Sequence, residues 1–331
     1  MRSSPETSAA GPPRFLSVLC NPRSGRLSKR LDAVRRLSRD VAGARYVEAS
    51  HPPEIEAAVR GVAEAPEGIL CVIGGDGTVA AVLTALHASR PGGPWPRLCV
   101  AAAGMTNMTA HDLGTRASVT GTLEALAAWR RRGGPAPRTV RRRVLVAQRT
   151  LRPALCGMFF GMGKVSDGVR FFQERLRGLR VAGEHNSGVA IARVLLSLAL
   201  GARRSDAVGY EITSVLDNGS EARHVCLICL VTTLDRLVLG TRPYWGKGDA
   251  PLHYTLVERG AEAFWRSIPR FAVGRPGRRM TPDTGWISHD VHRAVLTFDG
   301  PFVLDGELHD VRGAGGPCRI TASQPVEWLV P

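Results

Sequence analysis

A buried strand, a glycine-rich turn and a helix follow one another within residues 68–89. The apolar run Ile69–Ile73 stops at the segment GGDGT, residues 74–78, and a helical pattern continues over residues 79–89. In such a crossover, bare backbone N–H groups close around a phosphate, and the helix dipole strengthens the attraction. A carboxylate in that loop repels phosphate unless a cation lies between them. Asp76 therefore predicts a phosphate-bound Mg²⁺, and the whole loop predicts a nucleoside triphosphate site.

Strand and helix patterns alternate through the first part of the chain, which predicts a parallel sheet with helices on both faces. Ligands of such sheets bind beyond the carboxyl ends of the strands. Three loops with polar and glycine residues follow predicted strands, at residues 21–25, 74–78 and 104–107, so we expect them to converge on one edge of the sheet. The predicted strands are Phe15–Cys20, Arg45–Glu48, Ile69–Ile73 and Leu98–Ala103, and the predicted helices are Arg26–Asp40, Glu54–Ala65, Val79–Ser89 and Val119–Arg132.

The pattern changes after a basic segment, RRRGGPAPRTVRRR at residues 130–143. We interpret this segment either as a solvated linker or as a stripe that faces lipid or ATP phosphates. Longer β-type runs with helical inserts then predict a β-rich second domain. The predicted strands are Val140–Gln148, Ala207–Val215, His224–Thr232, His253–Val257, His292–Phe298, Phe302–Leu304 and Cys318–Thr321, and the predicted helices are Val169–Leu179, Asn186–Ala202 and Ala261–Phe271.

Charge and composition narrow the classes of partner. The net charge of +15 predicts attraction to polyanions, but no nucleic-acid-binding motif accompanies it, and aromatic residues make up only 6% of the chain. An anionic membrane surface is therefore favoured over nucleic acid. No apolar run approaches the ~20 residues that span a bilayer, so we expect a cytoplasmic protein. The segment Phe264–Phe271 mixes bulky apolar and cationic residues, which suits an acyl-chain tunnel, interfacial contact or ordinary core packing.

The seven cysteines are interpreted as structural thiols in apolar runs. Cys226 and Cys229 form a CxxC pattern inside a β-type run. A spacing of three on a regular strand directs two side chains to opposite faces. We therefore expect these two thiols not to share a zinc ion.

Four motifs occur in a fixed order: NPRSG at residues 21–25, GGDGT at 74–78, GMTN at 104–107 and DGE at 305–307. With this combination the chain resembles the diacylglycerol kinase catalytic-domain family, which includes bacterial lipid kinases and sphingosine kinases and is related in fold to NAD kinases. The resemblance implies a Rossmann-like α/β nucleotide-binding domain and a C-terminal β-sandwich domain that binds lipid and carries helical inserts. The corresponding division is a disordered tail at residues 1–13, a nucleotide-binding domain at 14–135 and a lipid-binding domain at 136–331.

The resemblance also implies ATP and Mg²⁺ as cofactors, a hydroxyl of diacylglycerol or a similar lipid as acceptor, and peripheral attachment at the inner membrane face, with a homodimer as one option. It implies that Asp305 is the base that activates the lipid hydroxyl and that Glu307 supports it. Read without the other motifs, Asp305 and the glycine after it are an ordinary hairpin turn. Asp167 would either bind a headgroup hydroxyl or cap a helix that starts at Val169. The implied nucleotide site comprises Asn21, Pro22, Ser24, Gly25, Gly74, Gly75, Asp76, Gly77, Thr78, Gly104, Thr106 and Asn107.

Two departures from the family pattern leave alternatives open. Met105 replaces a hydroxyl residue of the third loop, where Thr106 is the available substitute, and residues 244–249 align poorly with an acidic motif that organises Mg²⁺ in the family. One alternative is therefore a member that binds lipid or nucleotide without turnover. Another is an NAD kinase, through the shared GGDG segment.

Overall fold

The computed structural model describes residues 15–25, 27, 30–42, 45–132, 136–167, 169, 209–217, 219–310 and 316–331. The chain forms two compact units, Met1–Val144 together with Ser323–Pro331, and Leu145–Ala322. The predicted tail at residues 1–13 and the predicted helices at 169–179 and 186–202 lie outside the described residues, apart from Val169. No helix among the described residues is both long enough and apolar enough to cross a bilayer.

The first unit is built on a six-stranded sheet in which four successive strands run parallel. A fifth strand joins the parallel set beside β4, and the sixth is antiparallel to it at the edge. The strand order is β2-β1-β3-β4-β17-β5. The strands are β1 (Leu16–Cys20), β2 (Tyr46–Glu48), β3 (Ile69–Gly74), β4 (Arg97–Ala102), β5 (Arg138–Arg142) and β17 (Val326–Val330).

Helices connect these strands and cover both faces of the sheet. Every residue of β1 and β3 is buried, as expected for parallel strands between two helical layers. Alternate β3 residues pack into one core with α1 and α5, and α2 and α3 pack on one another. This arrangement confirms the predicted α/β class. The helices are α1 (Leu31–Ala42), α2 (Pro52–Ala63), α3 (Asp76–Ser89), α4 (Met108–Leu113) and α5 (Val119–Arg132).

The described part of the basic segment at residues 130–143 contains the end of α5 and the edge strand β5, so it is not a solvated linker. Its β5 residues pair with β17, and the Arg142 Nε atom lies 2.9 Å from Asp112 Oδ2. The predicted strand Val140–Gln148 is consequently divided between the two units. Our predicted boundary at 135/136 also differs from the structure, because the chain returns after residue 322 and places the buried Trp328 between β4 and β5.

The described residues of the second unit contain eleven antiparallel strands in one hydrogen-bonded network. The long β10 pairs with β9 over its first half and with β8 over its second half. The network therefore has two arms: one contains β8, β14 and β15, and the other contains β9, β13, β16, β6 and β7. The strands are β6 (Leu145–Arg149), β7 (Leu155–Gly157), β8 (Phe159–Gly163), β9 (Tyr210–Leu216), β10 (Ala222–Thr232), β11 (Leu252–Glu258), β12 (Trp286–Val291), β13 (Arg293–Phe298), β14 (Phe302–Leu304), β15 (Glu307–His309) and β16 (Gly316–Ala322).

The two arms share one apolar core. The Phe160 ring on β8 is stacked on Phe302, and it meets Phe298 of the other arm edge to face, with ring centroids 6.2 Å apart. The predicted C-terminal β-rich domain is therefore confirmed. The predicted helix at Ala261–Phe271 is present as α6 (Phe264–Ala272).

Cys226 and Cys229 lie on the same side of β10, so the prediction of opposite faces is wrong. The pairing of β10 with β11 shifts register between Cys226 and Ile228. Such a β-bulge adds one residue to the strand and rotates the following side chains to the other face. Both thiols consequently enter the shared core of the second unit, where neither is exposed.

We expect all seven cysteines to resist thiol reagents in the folded protein. All seven are buried and free, and burial raises the pKa of Cys156, Cys226 and Cys318 to about 12. Because the thiolate is the reactive form, labelling with Ellman's reagent at neutral pH should be negligible before unfolding and complete in denaturant. Fast labelling of the native protein would contradict this burial.

Candidate active site

The three loops predicted to converge do meet at one edge of the first sheet. The Asn21 backbone N–H donates to the carbonyl of Ile73 at 2.9 Å, and the Ala103 N–H donates to the carbonyl of Gly74 at 2.9 Å. The Asn21 side chain adds a bond from Nδ2 to Thr78 Oγ1, also of 2.9 Å. These bonds join the ends of β1, β3 and β4, so the positions of the loops follow directly from the order of the strands.

Glycine is required where the second and third loops touch. A Cβ atom on Gly104 would lie 2.5 Å from the Gly75 Cα atom, a distance that real Cβ contacts do not show. Gly104 is also held by Asn107, whose Oδ1 accepts the Gly104 N–H at 2.8 Å and whose Nδ2 donates to the Gly104 carbonyl at 2.9 Å. Asn107 adopts a left-handed backbone with φ of 48°. The buried Asn107 amide therefore fixes the shape of the loop through both its oxygen and its nitrogen.

Replacing Gly104 with alanine is expected to lower the free energy of unfolding by about 1–3 kcal/mol, because overpacking forces two backbone segments apart. A matched control is Gly61→Ala on α2, where a Cβ meets nothing within 4 Å and helix propensity should add about 0.5–1 kcal/mol. Urea unfolding monitored by circular dichroism measures both changes. Equal stability for Gly104→Ala and the wild type would show that the loops are not held at this distance.

Asp76 binds protein groups with both of its carboxylate oxygens. Oδ2 accepts the Thr106 hydroxyl at 2.7 Å and the Met108 N–H at 3.0 Å, and Oδ1 accepts the Thr109 N–H at 3.1 Å. The side chain thus caps the start of α4 and ties the second loop to the third. The Thr106 hydroxyl is committed to the same network, and Met105 at the loop tip is 46% exposed.

The N-terminus of α3 is left open by this arrangement. The backbone N–H groups of residues 76–78 donate to no group in the described part of the chain. Gly75 precedes the helix and offers no side-chain cap, while Asp76 directs its carboxylate to α4. Free N–H groups and the positive end of the helix dipole form an anion site. The Asp76 carboxylate does not point at this anion site, so a cation is not needed there to prevent its repulsion of a phosphate. A role for Asp76 in binding Mg²⁺ stays a prediction.

The first loop brings a cation and a histidine to the same edge. Asn21 Oδ1 accepts the Arg23 N–H at 3.0 Å across Pro22, and the Asn21 carbonyl accepts the Ser24 N–H at 3.1 Å, so a tight turn precedes Gly25. The Arg23 guanidinium reaches His51 Nε2 at 3.1 Å. Neither Arg23 nor His51 was among the predicted site residues. His51 lies three residues after the end of β2, so the convergence of strand ends at one edge of the sheet was a usable signal for it.

Asp305 occupies a two-residue turn between β14 and β15. Asp305 and Gly306 both have positive φ, 46° and 88°, which is the geometry of a type I′ hairpin and suits an Asp-Gly pair. The ordinary turn is thus present, but the carboxylate is also specially held. Its Oδ1 accepts the Phe159 N–H at 2.8 Å and its Oδ2 accepts the Met158 N–H at 2.9 Å. The residue is only 3% exposed.

The other two acidic residues predicted for the site, Glu307 and Asp167, have different surroundings from Asp305. Glu307 starts β15 with its side chain exposed. Asp167 lies inside a helical turn at residues 164–167, so it does not precede a helix as a cap would. Its carboxylate accepts the Lys164 ammonium at 3.1 Å and the Tyr210 hydroxyl at 2.9 Å. Among the described residues, no group of three or more histidine, cysteine, aspartate or glutamate side chains could hold a metal ion.

The first unit is a parallel α/β domain in which three loops and the open N-terminus of α3 lie at one edge of the sheet. Residues 16–133 match the model of the diacylglycerol kinase catalytic domain. The recognition predicted from the motifs is thereby confirmed, because this segment matches the catalytic-domain model of the family. The matched residues include the first three loops, whereas Asp305 lies beyond them. A comparison with curated proteins gave no match.

Solved structures with the same fold cover almost the whole chain. One is described as a "putative diacylglycerol kinase" from Bacillus anthracis str. Sterne; it has a TM-score of 0.64 and 14% identity, and covers 97% of this chain and 99% of its own. Another from the same organism, with the same description, has a TM-score of 0.62 and 15% identity, and covers 96% of this chain and 97% of its own. At these identities the likeness establishes the fold alone.

Proposed function

We propose that the protein is an ATP- and Mg²⁺-dependent lipid kinase that phosphorylates a hydroxyl of diacylglycerol or a similar lipid. The observation that carries this proposal is the open N-terminus of α3 within the segment that matches the diacylglycerol kinase catalytic domain. A polyphosphate would be bound by the free backbone N–H groups and by the exposed Arg23. Gly75, Gly77 and Gly104 leave room for it, because glycine has no side chain. The lipid specificity comes from the family resemblance and needs direct measurement.

In the proposed reaction the lipid hydroxyl oxygen bonds to the γ-phosphorus of ATP, and the bond from that phosphorus to the bridging oxygen of ADP breaks. Asp305 would accept the hydroxyl proton. Its two oxygens accept the N–H groups of Phe159 and Met158 in the structure, and a carboxylate oxygen can accept more than one donor. Glu307 would support this step, and Asp167 would bind a headgroup hydroxyl through the oxygen atoms that also hold Lys164 and Tyr210.

The site would hold Mg²⁺ through the substrate phosphates and through waters, which magnesium usually keeps, because both carboxylate oxygens of Asp76 accept hydrogen bonds within the protein. A dedicated cage of protein ligands is therefore not required. When bound, Mg²⁺ supplies charge neutralisation on the phosphates. The protein's own contribution is to hold the phosphates by the α3 N–H groups, with Asn21 and Thr78 fixing the loop that surrounds them.

Incubation with γ-labelled ATP and a panel of diacylglycerol, sphingosine and other hydroxyl lipids in detergent micelles tests the proposal. We expect labelled lipid phosphate that depends on Mg²⁺. Phosphorylation of NAD with no labelled lipid would instead identify an NAD kinase. An absence of any labelled product would overturn kinase activity towards these acceptors.

A second candidate is a protein that binds nucleotide or lipid without turnover. It is favoured by the 46% exposed Met105 at a loop tip and by the Thr106 hydroxyl that Asp76 already engages. Calorimetry would then detect ATP binding while the lipid assay stays blank. This outcome separates the two functions, because both need the site at α3 but only the first needs Asp305.

We also propose that the protein acts in the cytoplasm, peripherally at the inner membrane face, with a homodimer as an assembly to be tested by light scattering. The net charge of +15 supports attraction to anionic lipid headgroups. Because the proposed lipid substrate lies in a bilayer, attachment to the membrane would bring the enzyme to its substrate.

A further inference from the structure

Helix α6 has one buried side and one solvent-facing side. Phe264 and Phe271 pack with Trp286 in an apolar cluster of the second unit, and Ser267 is buried on the same side. The exposed positions follow at helical spacing on the opposite side. They are Trp265, Arg266, Pro269, Arg270 and Val273, which we call the α6 outer face.

The surroundings of the α6 outer face are strongly cationic. Residues 263–282 contain five arginines, all exposed, and no aspartate or glutamate. None of the five forms an ion pair with another residue in the described ranges. The arginines that follow the helix are Arg275, Arg278 and Arg279. Within the described residues, this surface therefore carries five arginine charges without an ion-pair partner, although the exposed Glu262 and Asp283 flank the segment.

Large apolar side chains protrude among these charges. Trp265 is 38% exposed and Val273 is 58% exposed. The structure describes all six tryptophans, and Trp265 is the only exposed one. Leu239, 61% exposed, lies close to the end of the helix, because the Arg242 N–H donates to the Ala272 carbonyl at 2.8 Å. Exposed apolar groups surrounded by cations are costly in water and favourable at a membrane interface.

We propose that the α6 outer face and the arginines of residues 275–279 dock the protein on an anionic lipid bilayer. The arginines would contact headgroup phosphates, while Trp265 and Val273 enter the boundary between headgroups and acyl chains. A nucleic acid would attract the same arginines but would offer no apolar phase to Val273 and Leu239. This proposal rests on the proposed lipid kinase function for the biological reason to bind a bilayer. The binding itself does not depend on that function, because attachment to vesicles requires no turnover.

Vesicle sedimentation with the full chain tests the surface. We expect binding to mixed phosphatidylglycerol and phosphatidylcholine vesicles and little binding to phosphatidylcholine alone. Each arginine near an anionic surface contributes about fivefold, so Arg266→Gln with Arg270→Gln should weaken partitioning by about 25-fold. The matched control is Arg152→Gln with Arg319→Gln, which removes two exposed charges from the β6 and β16 region of the same unit and should change partitioning far less.

Fluorescence gives an independent readout. Brominated lipids should quench the wild type, and Trp265→Phe should abolish most of that quenching while preserving vesicle binding. Equal losses in the two arginine pairs, equal binding to neutral vesicles, or duplex DNA that displaces vesicles at low concentration would each overturn the proposal. Thermal unfolding verifies that each variant is folded.

The micelle assay separates this inference from the proposed function. If the double variant Arg266→Gln with Arg270→Gln phosphorylates lipid in micelles like the wild type but fails to do so on vesicles, both proposals hold. Vesicle binding without any kinase product would leave the docking surface intact and remove only the enzyme.

Discussion

Asp305→Asn is expected to lower kcat for lipid phosphorylation by about 10²- to 10⁴-fold, the usual contribution of a general base. Asparagine tolerates the left-handed backbone of the type I′ turn, so the hairpin should still form. One of the two N–H acceptors is lost, which should cost about 1–3 kcal/mol of unfolding free energy. Steady-state kinetics should show the loss in kcat with little change in the KM for ATP.

A purely structural role for Asp305 can be distinguished with Asp217. This residue also has positive φ, 49°, and its Oδ1 accepts the N–H groups of His292 and Arg293, each at 2.8 Å. Asp217→Ala should therefore destabilise the same unit by a comparable amount. Its activity should fall only in proportion to the folded fraction. Retention of a large part of the activity in folded Asp305→Asn would remove the base assignment.

Asp76→Ala is expected to reduce the free energy of unfolding by about 3 kcal/mol or more, because two buried backbone N–H groups and one hydroxyl lose their acceptor. The loss should appear without nucleotide or metal present, since the bonds are internal to the protein. ATP binding should weaken as well, because the third loop is no longer tied to the start of α3. Urea unfolding and calorimetric titration with ATP measure the two effects.

Glu124→Ala provides the control, since it removes an exposed carboxylate from α5 in the same unit and should change stability by less than about 0.5 kcal/mol. A role for Asp76 confined to Mg²⁺ gives a different result. Unfolding in the presence of a chelator would then be unchanged, and only the affinity for Mg·ATP would fall. That outcome would contradict the capping role that the hydrogen bonds assign to Asp76.

Most of the first unit could be predicted because its signals are local. Strand and helix periodicities, and the glycine turns between them, are written within stretches of a few residues. The carboxyl ends of β1, β3 and β4 then had to meet, since parallel strands place these ends at the same edge. The same rule applied to β2 would have found His51, whose position beside Arg23 we did not predict.

Errors arose where a distant segment decides the outcome. The bulge in β10 depends on its pairing with β11, so the alternation rule alone put Cys226 and Cys229 on opposite faces. The basic segment at residues 130–143 reads as a linker until β17 pairs with it from the other end of the chain. Neither pairing has a local signature.

The sequence by itself determined the strand-loop-helix order, the three loops at one sheet edge, and the recognition of the catalytic domain, because period, turn chemistry and motif spacing are local properties. The tertiary structure alone decided what the acidic side chains do. Asp76 finds its partners about thirty residues further along the chain, and Asp305 finds Met158 and Phe159 nearly 150 positions away. A carboxylate's role depends on which N–H groups surround it, and only the folded chain brings those groups to it.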